Sequence, residues 1–294
     1  MKPDIWADIT ARINSVLDRP EIFVASHPLA GGDTCQAYRL ETRNSVFFVK
    51  LSSSLKEESF AAEAAGLDEL AAVGAARCPR PLLHGHIADI TFLVLEHIRI
   101  SRQGNDAVLG SALAQIHRHT AHEYGWDRGN TIGRTPQDNR RTSDWATFWR
   151  DRRLLPQLKL AAQSAAPKSL LDLGERLLAE IPALLRGHRP EPSLLHGDLW
   201  GGNHGYDDTG RPVLFDPAVY YGDRETDIAM TQLFGGFGAD FLDAYHEAWP
   251  LPCGHEQRRD LYNLYHVLNH YNLFGASYAG QASRMIDRLL ASAS

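Results

Sequence analysis

Cysteine is scarce in this sequence, with three residues in a chain of 294, and the three lie far apart as Cys35, Cys78 and Cys253. That number and spacing exclude a disulfide framework, and no paired-cysteine motif for a zinc knuckle is present. Widely spaced cysteines are typical of proteins in reducing compartments, where thiols stay unpaired. We therefore expect no covalent cross-link to stabilise the fold.

Long apolar runs are also missing. No stretch approaches the ~20 consecutive apolar residues that a membrane-spanning helix needs. The opening residues "MKPDIWADITARI" contain no apolar signal core. We expect a cytoplasmic protein that does not enter a membrane.

The chain also has no excess of positive charge, since its formal net charge is −6. This argues against nucleic acid or an anionic membrane as the main partner, although a local basic pocket for a phosphate remains compatible with it. The hydrophobic content of 44% and charged content of 22% are ordinary for a globular protein. The length suffices for two packed cores. Nothing in the composition fixes the oligomeric state.

The two parts of the chain differ in their patterns. In the first third, "CQAYRLE" and "SVFFVKL" predict an antiparallel hairpin, "KEESFAAEAAGLDELAAV" a helix and "DITFLVLEHI" an apolar strand. After about residue 110 the periodicity is mainly helical. We predict an α+β, bilobal fold with a small β-rich N-lobe over residues 1–98 and a larger helical C-lobe over residues 99–294. Ligands favour clefts between such lobes.

Acidic side chains are concentrated between residues 194 and 225, in "LLHGDLWGGNHGYDDTGRPVLFDPAVYYGDRE". Two short apolar strands are predicted to deliver Asp198 and Asp216, with Asn203 on the loop between them. Carboxylate and amide oxygens suit Mg²⁺, and a carboxylate that does not bind metal can accept a proton from a hydroxyl. This combination is typical of phosphoryl transfer. The alternative is that these residues only form turns, which Asp and Asn favour.

Lys50 ends the apolar strand "SVFFVK", where an ammonium group has no packing role. Glu63 on the following helix is the candidate partner, because kinases pair a strand lysine with a helix glutamate to hold nucleotide phosphates. Glu57 and Glu58 compete for this role, but acids at a helix start are also stabilised by the helix dipole. The alternative is an ordinary strand-end lysine with a solvated glutamate.

The loop "AGGDTCQAY" precedes the lysine strand. Gly31 and Gly32 allow close approach of backbone N–H groups to phosphates, although the loop is not a G-x-G-x-x-G motif and a plain β-turn is an equal interpretation. Cys35 in this loop is either a small filler or an oxidation-sensitive thiol.

Trp200 lies two residues after Asp198, outside any core motif. It stacks on a sugar or faces a cationic amine in one interpretation, and packs as a wedge under the loop in the other. His84 and His86 lie near Cys78 in sequence, but no fourth residue has zinc-ligand spacing, so we expect no zinc site there.

Taken together, these motifs resemble the fructosamine kinase (ketosamine 3-kinase) family, within the aminoglycoside-phosphotransferase-like and protein-kinase-like fold. The most specific pieces are "LLHGDLWGGN" and "LFDPAVYYGDRETDIAMTQLFGGF", and "FFVK", "EAAGLDEL", "LVLEHI" and "YGWDRGNTIGRTPQDN" follow the family order. The resemblance implies ATP-dependent phosphorylation of the 3-hydroxyl of a ketosamine, which is the adduct of a sugar with an amine. Elimination of the 3-phosphate then regenerates the amine. The adduct could be a fructosamine, ribulosamine or erythrulosamine, either free or on a protein lysine.

The resemblance also implies residue roles. Asp198 resembles the catalytic base, and Asn203 and Asp216 resemble the Mg²⁺ ligands. Lys50 and Glu63 resemble the phosphate clamp. The remaining expected roles are adenine binding by the backbone of Glu96, His97 and Ile98, and a buried aspartate, Asp227, that starts a helix and bonds the catalytic loop.

Two alternatives stay open at this point. One is another small-molecule kinase of the same fold, acting on an aminoglycoside, choline or a sugar. The other is a catalytically silent nucleotide-binding module, which the presence of Lys50, Asp198, Asn203 and Asp216 disfavours.

Overall fold

The structure is a computed structural model that describes residues 5–30 and 35–293. The chain forms two compact units. The first comprises residues 1–104 and 205–216, and the second comprises residues 105–204 and 217–294. Residues 205–216 therefore pack with the N-terminal part of the chain, whereas the predicted lobes were continuous segments.

The first unit is built on a five-stranded sheet in the order β1-β2-β3-β5-β4, in which all neighbours are antiparallel. The predicted hairpin is confirmed as β2 and β3, with Ala37 opposite Lys50. The strands are β1 (Phe23–Leu29), β2 (Gln36–Thr42), β3 (Val46–Ser52), β4 (Pro81–Ile87) and β5 (Ile90–Glu96).

Two helices cover parts of this sheet, α1 (Ile5–Asn14) and α2 (Glu57–Val73). Ile9 of α1 is fully buried and belongs to one apolar cluster with Val49 and Phe92 of the sheet. Each such side chain contributes roughly 1.5–3 kcal/mol when it is removed from water. The helix α2 ends at Gly74, whose left-handed φ of 76° lets its N–H bond the carbonyl of Ala71.

A second small sheet completes this unit with β9 (His204–Tyr206) and β10 (Pro212–Leu214). Arg77 pairs with β10 through its main chain. Its N–H donates to Pro212 O at 2.8 Å, and its carbonyl accepts from Leu214 N at 2.8 Å. These bonds attach the segment 205–216 to the residues that precede β4.

The second unit is mainly helical. Its α-helices are α3 (Asp106–His117), α4 (Trp145–Phe148), α5 (Leu155–Gln163), α6 (Lys168–Leu184), α7 (Glu225–Leu233), α8 (Ala239–Ala248), α9 (His255–Phe274) and α10 (Ala279–Ala293). A π-helical turn, Trp149–Leu154, joins α4 to α5, and a 3₁₀ turn, Ala276–Tyr278, precedes α10. Among the helices that the structure describes, none is both long and apolar enough to cross a bilayer.

Short strands pair within the helical unit. The strands β6 (Asn130–Ile132) and β7 (Thr135–Gln137) form one antiparallel pair, and β8 (Ser193–Leu195) and β11 (Tyr220–Gly222) form another. Leu195 lies opposite Tyr220, so the residues that follow β8 lie beside those that precede β11. The prediction of a β-rich first part and a helical second part is confirmed.

Candidate active site

Lys50 is paired with two carboxylates inside the first unit. Its Nζ lies 2.6 Å from Oε1 of Glu63 on α2 and 2.7 Å from Oδ1 of Asp216, two residues after β10. The Lys50 side chain is buried at 7% exposure, whereas that of Asp216 is 41% exposed. The competing acid Glu57 instead contacts His86 at 2.7 Å and His84 at 3.6 Å.

The charge state of Lys50 follows from this pairing. Burial by itself lowers the pKa of an ammonium group, but the carboxylates of Asp216 and Glu63 outweigh it and raise the pKa of Lys50 above its usual value. Lys50 therefore carries a fixed positive charge at neutral pH. A buried, fixed cation of this kind is suited to bind phosphate oxygens.

Asp216 has an unusual backbone conformation. Its φ is 58°, in the left-handed region that a residue with a Cβ seldom adopts. Such strain persists only where the surroundings impose it, and it is frequent at functional sites. The conformation turns the chain directly after β10, at the residue whose carboxylate contacts Lys50.

The predicted adenine-binding residues lie where β5 ends. The N–H of Glu96 donates to Arg80 O at 2.8 Å, and the Glu96 carboxylate pairs with the guanidinium of Arg77. His97 and Ile98 follow the strand in an irregular segment. Partial burial, with help from nearby arginines, lowers the pKa of His97 and favours its neutral form.

The predicted glycine-loop residues Gly31 and Gly32 lie outside the described part of the chain. Cys35, at the end of that loop, is partly buried, which both interpretations of this residue allow.

Asp198 and Asn203 contact each other in the second unit. Nδ2 of Asn203 donates to the carbonyl of Asp198 at 2.9 Å and to its Oδ2 at 3.3 Å. The N–H of Asn203 also donates to Trp200 O at 2.9 Å, which closes a tight loop over these residues. The two bonds to Asp198 use Nδ2 of Asn203 and not its amide oxygen. An amide oxygen is a type of neutral ligand that Mg²⁺ accepts.

Asp227 fixes the backbone just before Asp198. Its carboxylate accepts from His196 N at 2.7 Å, from Gly197 N at 2.9 Å and from Nε2 of His117 at 3.2 Å. Burial by itself raises the pKa of Asp227, but the bonds from His117 and the loop N–H groups outweigh it and lower that pKa. The predicted bonding of Asp227 to the backbone of the loop that carries Asp198 is confirmed.

The predicted position of Asp227 at a helix start needs a correction. The helix α7 begins at Glu225, so Asp227 lies inside its first turn. Oδ1 of Asp223 accepts from the N–H of Glu225 at 3.0 Å, so Asp223 satisfies a backbone donor at the helix start. Asp227 is thus the third residue of α7, and its carboxylate bonds the loop before Asp198.

Gly197 is required by close packing beside Asp198. Its φ is 81°, and a Cβ at this position would lie 2.1 Å from the carbonyl oxygen of Ala218. Real atoms do not approach so closely, so only glycine lets the loop that carries Asp198 lie against the segment after Asp216.

Trp200 belongs to an exposed aromatic surface. Its side chain is 41% exposed, and its ring lies across Gly202, so it is not a wedge buried under the loop. The next residue, Gly201, packs against the backbone of Gly235 and Gly236. Directly before them in sequence, Phe234 is 41% exposed.

The aromatic surface continues onto α9. The ring of Phe234 lies 4.7 Å from that of His270, which in turn lies 5.4 Å from Phe274. Phe274 is 43% exposed. Phe234 and Phe274 carry no signal of a site in the sequence, because isolated phenylalanines in helical patterns are usually core residues.

Other ligand-like clusters have structural partners. His188, Asp223 and Glu225 bring possible metal-ligating atoms within 4.8 Å of one another in the described chain. However, Arg258 binds both oxygens of Glu225 at 2.7 and 2.8 Å, and Tyr262 donates to Asp223. These bonds make the cluster a buried ion-pair network.

Burial raises the pKa of the Cys78 thiol to about 12, so this thiol is protonated and unreactive at neutral pH.

Comparison with known proteins shows the family. A sequence model described as fructosamine kinase matches residues 5–292. A Synechocystis protein named as a ketoamine kinase is 41% identical over 293 residues, covering 98% of each chain. The chloroplastic protein-ribulosamine 3-kinase of Arabidopsis thaliana is 40% identical over 266 residues, covering 89% of this chain and 81% of that protein.

Solved structures show the fold. A Thermobifida fusca protein named as a fructosamine-3-kinase is 31% identical, with a TM-score of 0.81 and coverage of 96% of this chain and 98% of that chain. The aminoglycoside phosphotransferase APH(4)-Ia has a TM-score of 0.64 at 15% identity, over 99% of this chain and 98% of that chain, and shows the shared fold alone. This chain therefore has an aminoglycoside-phosphotransferase-like fold and belongs to the fructosamine kinase family of ATP-dependent kinases.

Proposed function

We propose that this protein transfers the γ-phosphoryl group of ATP to the 3-hydroxyl of a ketosamine. The observation that carries the proposal is the Lys50 ion pair with Glu63 and Asp216, together with the Asp198–Asn203 contact. These are the residue types that phosphoryl transfer requires for binding phosphates, holding metal and accepting a proton.

Each group has a defined task in this reaction. Lys50, fixed as a cation by its two carboxylates, binds the nucleotide phosphates. Asp198 accepts the proton of the substrate 3-hydroxyl, and the oxygen of that hydroxyl forms a bond to the γ-phosphorus. The bond from that phosphorus to the β,γ-bridging oxygen breaks, and ADP leaves with the bonding electrons. The products are ADP and a ketosamine 3-phosphate. This phosphate loses inorganic phosphate by elimination, and water then hydrolyses the resulting imine to the free amine and a 3-deoxy dicarbonyl fragment of the sugar.

Asn203 and Asp216 fit the expected Mg²⁺ ligands, because one offers an amide oxygen and the other a half-exposed carboxylate. Hard oxygen donors of this kind match the preference of Mg²⁺. When bound, Mg²⁺ would neutralise charge on the nucleotide phosphates. The pairing of Asp216 with Lys50 keeps that carboxylate oriented before any metal arrives.

The backbone of Glu96, His97 and Ile98 is proposed to bind adenine. The Glu96 N–H already donates to Arg80. The groups proposed to bind adenine are therefore the carbonyl of Glu96 and the backbone N–H and carbonyl groups of His97 and Ile98. Gly31 and Gly32 are proposed to approach the phosphates.

The substrate half of the proposal depends on the aromatic surface. Trp200, Phe234 and Phe274 are all about two-fifths exposed, which is unusual for such large rings. Exposed aromatic faces bind the apolar faces of sugars and attract cationic amines. A ketosamine presents both chemistries, whereas a plain sugar lacks the amine. The Arabidopsis relative is named for protein ribulosamines, so a glycated lysine on a protein belongs in the test as well as the free compound.

The test is a substrate panel. Purified protein with ATP and Mg²⁺ is incubated with ribulose-lysine, fructose-lysine, erythrulose-lysine, a glycated protein, kanamycin, choline and free sugars. We expect ADP release with at least one ketosamine, and phosphorus NMR should place the product phosphate on the 3-oxygen. If kanamycin, choline or a free sugar is phosphorylated and no ketosamine is, the protein is instead another small-molecule kinase of the same fold. Binding of ATP without turnover of any acceptor would establish the silent module.

We propose that the reaction takes place in the cytoplasm, as the sequence predicts. Its substrates there are the adducts of sugars with amines. Fractionation of the native host with an antibody to the chain checks this placement.

A further inference from the structure

Two amide side chains on a small hairpin, one buried and one half-buried, have no role in the reaction described so far. Asn130 on β6 lies directly opposite Gln137 on β7 in the second unit. Gln137 is only 3% exposed and Asn130 is half-buried. Buried amides are costly unless their donors and acceptors are all used, so the partners of these two residues are informative.

Every polar atom of the Gln137 side chain has a partner. Its Oε1 accepts from the hydroxyl of Tyr265 at 2.7 Å. Its Nε2 donates to Oδ1 of Asn130 at 2.8 Å and to the carbonyl of Ala218 at 3.2 Å. Rotating the amide by 180° would set its oxygen against two acceptors, so the network permits one orientation.

Asn130 extends the same network by one residue. Its Nδ2 donates to the carbonyl of Val219 at 2.8 Å, and its Oδ1 also accepts from Nδ2 of Asn139 at 2.9 Å. Asn139 is fixed in turn by the buried guanidinium of Arg153 at 2.7 Å. The hairpin thus binds two successive carbonyls, those of Ala218 and Val219.

The segment that carries those carbonyls contacts the loop of Asp198. The N–H of Ala218 donates to His196 O at 2.8 Å. The carbonyl oxygen of Ala218, which Gln137 binds, is the atom that leaves no space for a Cβ at Gly197. His196 and Gly197 immediately precede Asp198 in the chain. A movement of Ala218 is therefore transmitted directly to the backbone of Asp198.

We propose that Gln137 and Asn130 are positioning residues for the general base Asp198. The inference rests on the proposed function, because it assumes that Asp198 accepts a proton during turnover. Asp227 holds the loop through its N–H groups, whereas the hairpin holds it through Ala218, from a separate element. The base is thus located by two independent sets of buried hydrogen bonds. Neither amide touches substrate or nucleotide in this role.

The first test uses two substitutions of similar volume. Gln137→Met removes the donors to Ala218 and Asn130, and the acceptor for the Tyr265 hydroxyl, with little change in volume. Asn130→Asp keeps the Oδ1 acceptor and replaces the donor to Val219 with a carboxylate oxygen, which cannot donate to that carbonyl and carries negative charge. We expect each to lower kcat about tenfold or more, since small misplacements of a reacting group have large effects on rate. The KM for ATP should change by less than about twofold, because the two amides do not contribute to nucleotide binding in this role.

A double variant separates positioning from general damage. If Gln137 acts through Asp198, then adding Gln137→Met to Asp198→Asn should cause no further loss of the residual rate. Residues that act as a unit show this strong non-additivity. An equal fold-loss in both backgrounds would overturn the inference, as would an unchanged kcat in Gln137→Met alone.

A control variant removes an exposed amide that makes two backbone hydrogen bonds in the other unit. Asn14 makes hydrogen bonds to both the carbonyl and the N–H of Glu21, in the first unit. Asn14→Leu should lower the thermal midpoint while leaving kcat unchanged at a temperature well below that midpoint. If it lowers kcat as much as Gln137→Met, the positioning role fails.

The outcomes also separate this inference from the proposed function. Wild-type turnover of a ketosamine tests the function, and the ratio of variant to wild-type kcat tests the hairpin. If the wild type turns over another hydroxyl acceptor, the same ratio is measured with that acceptor. If no acceptor is turned over, both the function and the inference fail.

Discussion

Lys50 and Asp216 form a 2.7 Å ion pair within one compact unit, although one residue is on β3 and the other follows β10. The pairing depends on the packing of residues 205–216 with the N-terminal part of the chain. The backbone of Asp216 is left-handed, and its carboxylate together with that of Glu63 raises the pKa of Lys50. One contact therefore links the strained residue to the buried cation.

Replacement of the proposed base should affect the chemical step alone. Asp198→Asn should lower kcat by about 10²–10⁴-fold, the usual contribution of general base catalysis. ATP binding, measured by calorimetry, should stay within about twofold of wild type because the base acts only during transfer. Asp208→Asn, at an exposed position on the β9–β10 turn, is the control and should keep full activity. Full activity of Asp198→Asn would show that another group accepts the proton.

Replacement of the proposed metal ligand should have a different signature. Asp216→Asn should raise the Mg²⁺ concentration needed for half-maximal activity by on the order of tenfold, because a neutral amide binds Mg²⁺ more weakly than a carboxylate. It also removes one of the two carboxylates that fix Lys50. Titration of activity with Mg²⁺ at saturating ATP checks this. An unchanged Mg²⁺ requirement would contradict the ligand assignment.

Arg77 should matter for nucleotide binding. Its guanidinium joins Glu96, where the proposed adenine-binding segment begins, to Asp207, whose side chain is 4% exposed. Arg77→Gln should raise the KM for ATP on the order of tenfold, equivalent to about 1.4 kcal/mol, with a smaller change in kcat. Steady-state kinetics measure both constants. Arg43→Gln, which removes an exposed charge from the same unit, should leave the KM unchanged.

The aromatic surface should determine the acceptor and not the nucleotide. Trp200→Ala should raise the KM for a ketosamine by about fivefold to thirtyfold, which corresponds to the roughly 1–2 kcal/mol expected for a desolvated ring contact. Trp200→Phe should restore most of the loss because it keeps an aromatic face. The KM for ATP should stay constant in both variants. A rise in the KM for ATP of similar size would show that Trp200 belongs to the nucleotide site.

Buried His266 should make the protein less stable in mild acid. Burial is the main cause that lowers its pKa to about 3, with help from His270 and Arg153 and against the opposing charge of Asp227. His266 therefore binds a proton near pH 6.5 in the unfolded chain but not in the folded protein. The free energy of unfolding consequently falls as the pH drops from about 6.5 toward 3. From pH 7 to pH 5 this site should remove about 2 kcal/mol.

Urea unfolding at both pH values measures the effect. The variant His266→Phe should show a correspondingly smaller difference in the free energy of unfolding between pH 7 and pH 5. His255→Phe, at the half-buried first residue of α9, is the comparison and should keep the wild-type difference. Equal differences in all three proteins would show that His266 does not titrate as proposed.

Local patterns in the sequence predicted a large part of this protein. Alternating apolar residues predicted the β2–β3 hairpin, and the motif from Asp198 to Asp216 predicted a phosphotransferase. The resemblance predicted that Asp227 would bond the loop before Asp198, which the structure confirms. The three-residue strands β6, β7, β9 and β11 were not predicted, because segments so short carry no measurable periodicity. The equally short β8 and β10 were predicted only from the apolar runs that precede Asp198 and Asp216.

The sequence by itself determined the chemical groups and the elements that carry them, since strand and helix periodicity and the "HGD" motif are local properties. Only the tertiary structure decided which distant groups meet: Asp216 with Lys50, Asp207 with Arg77, and the hairpin amides with Ala218. Such contacts form because buried polar atoms must find partners wherever the packed core brings them. That requirement acts on the whole folded chain and leaves no pattern in any short segment.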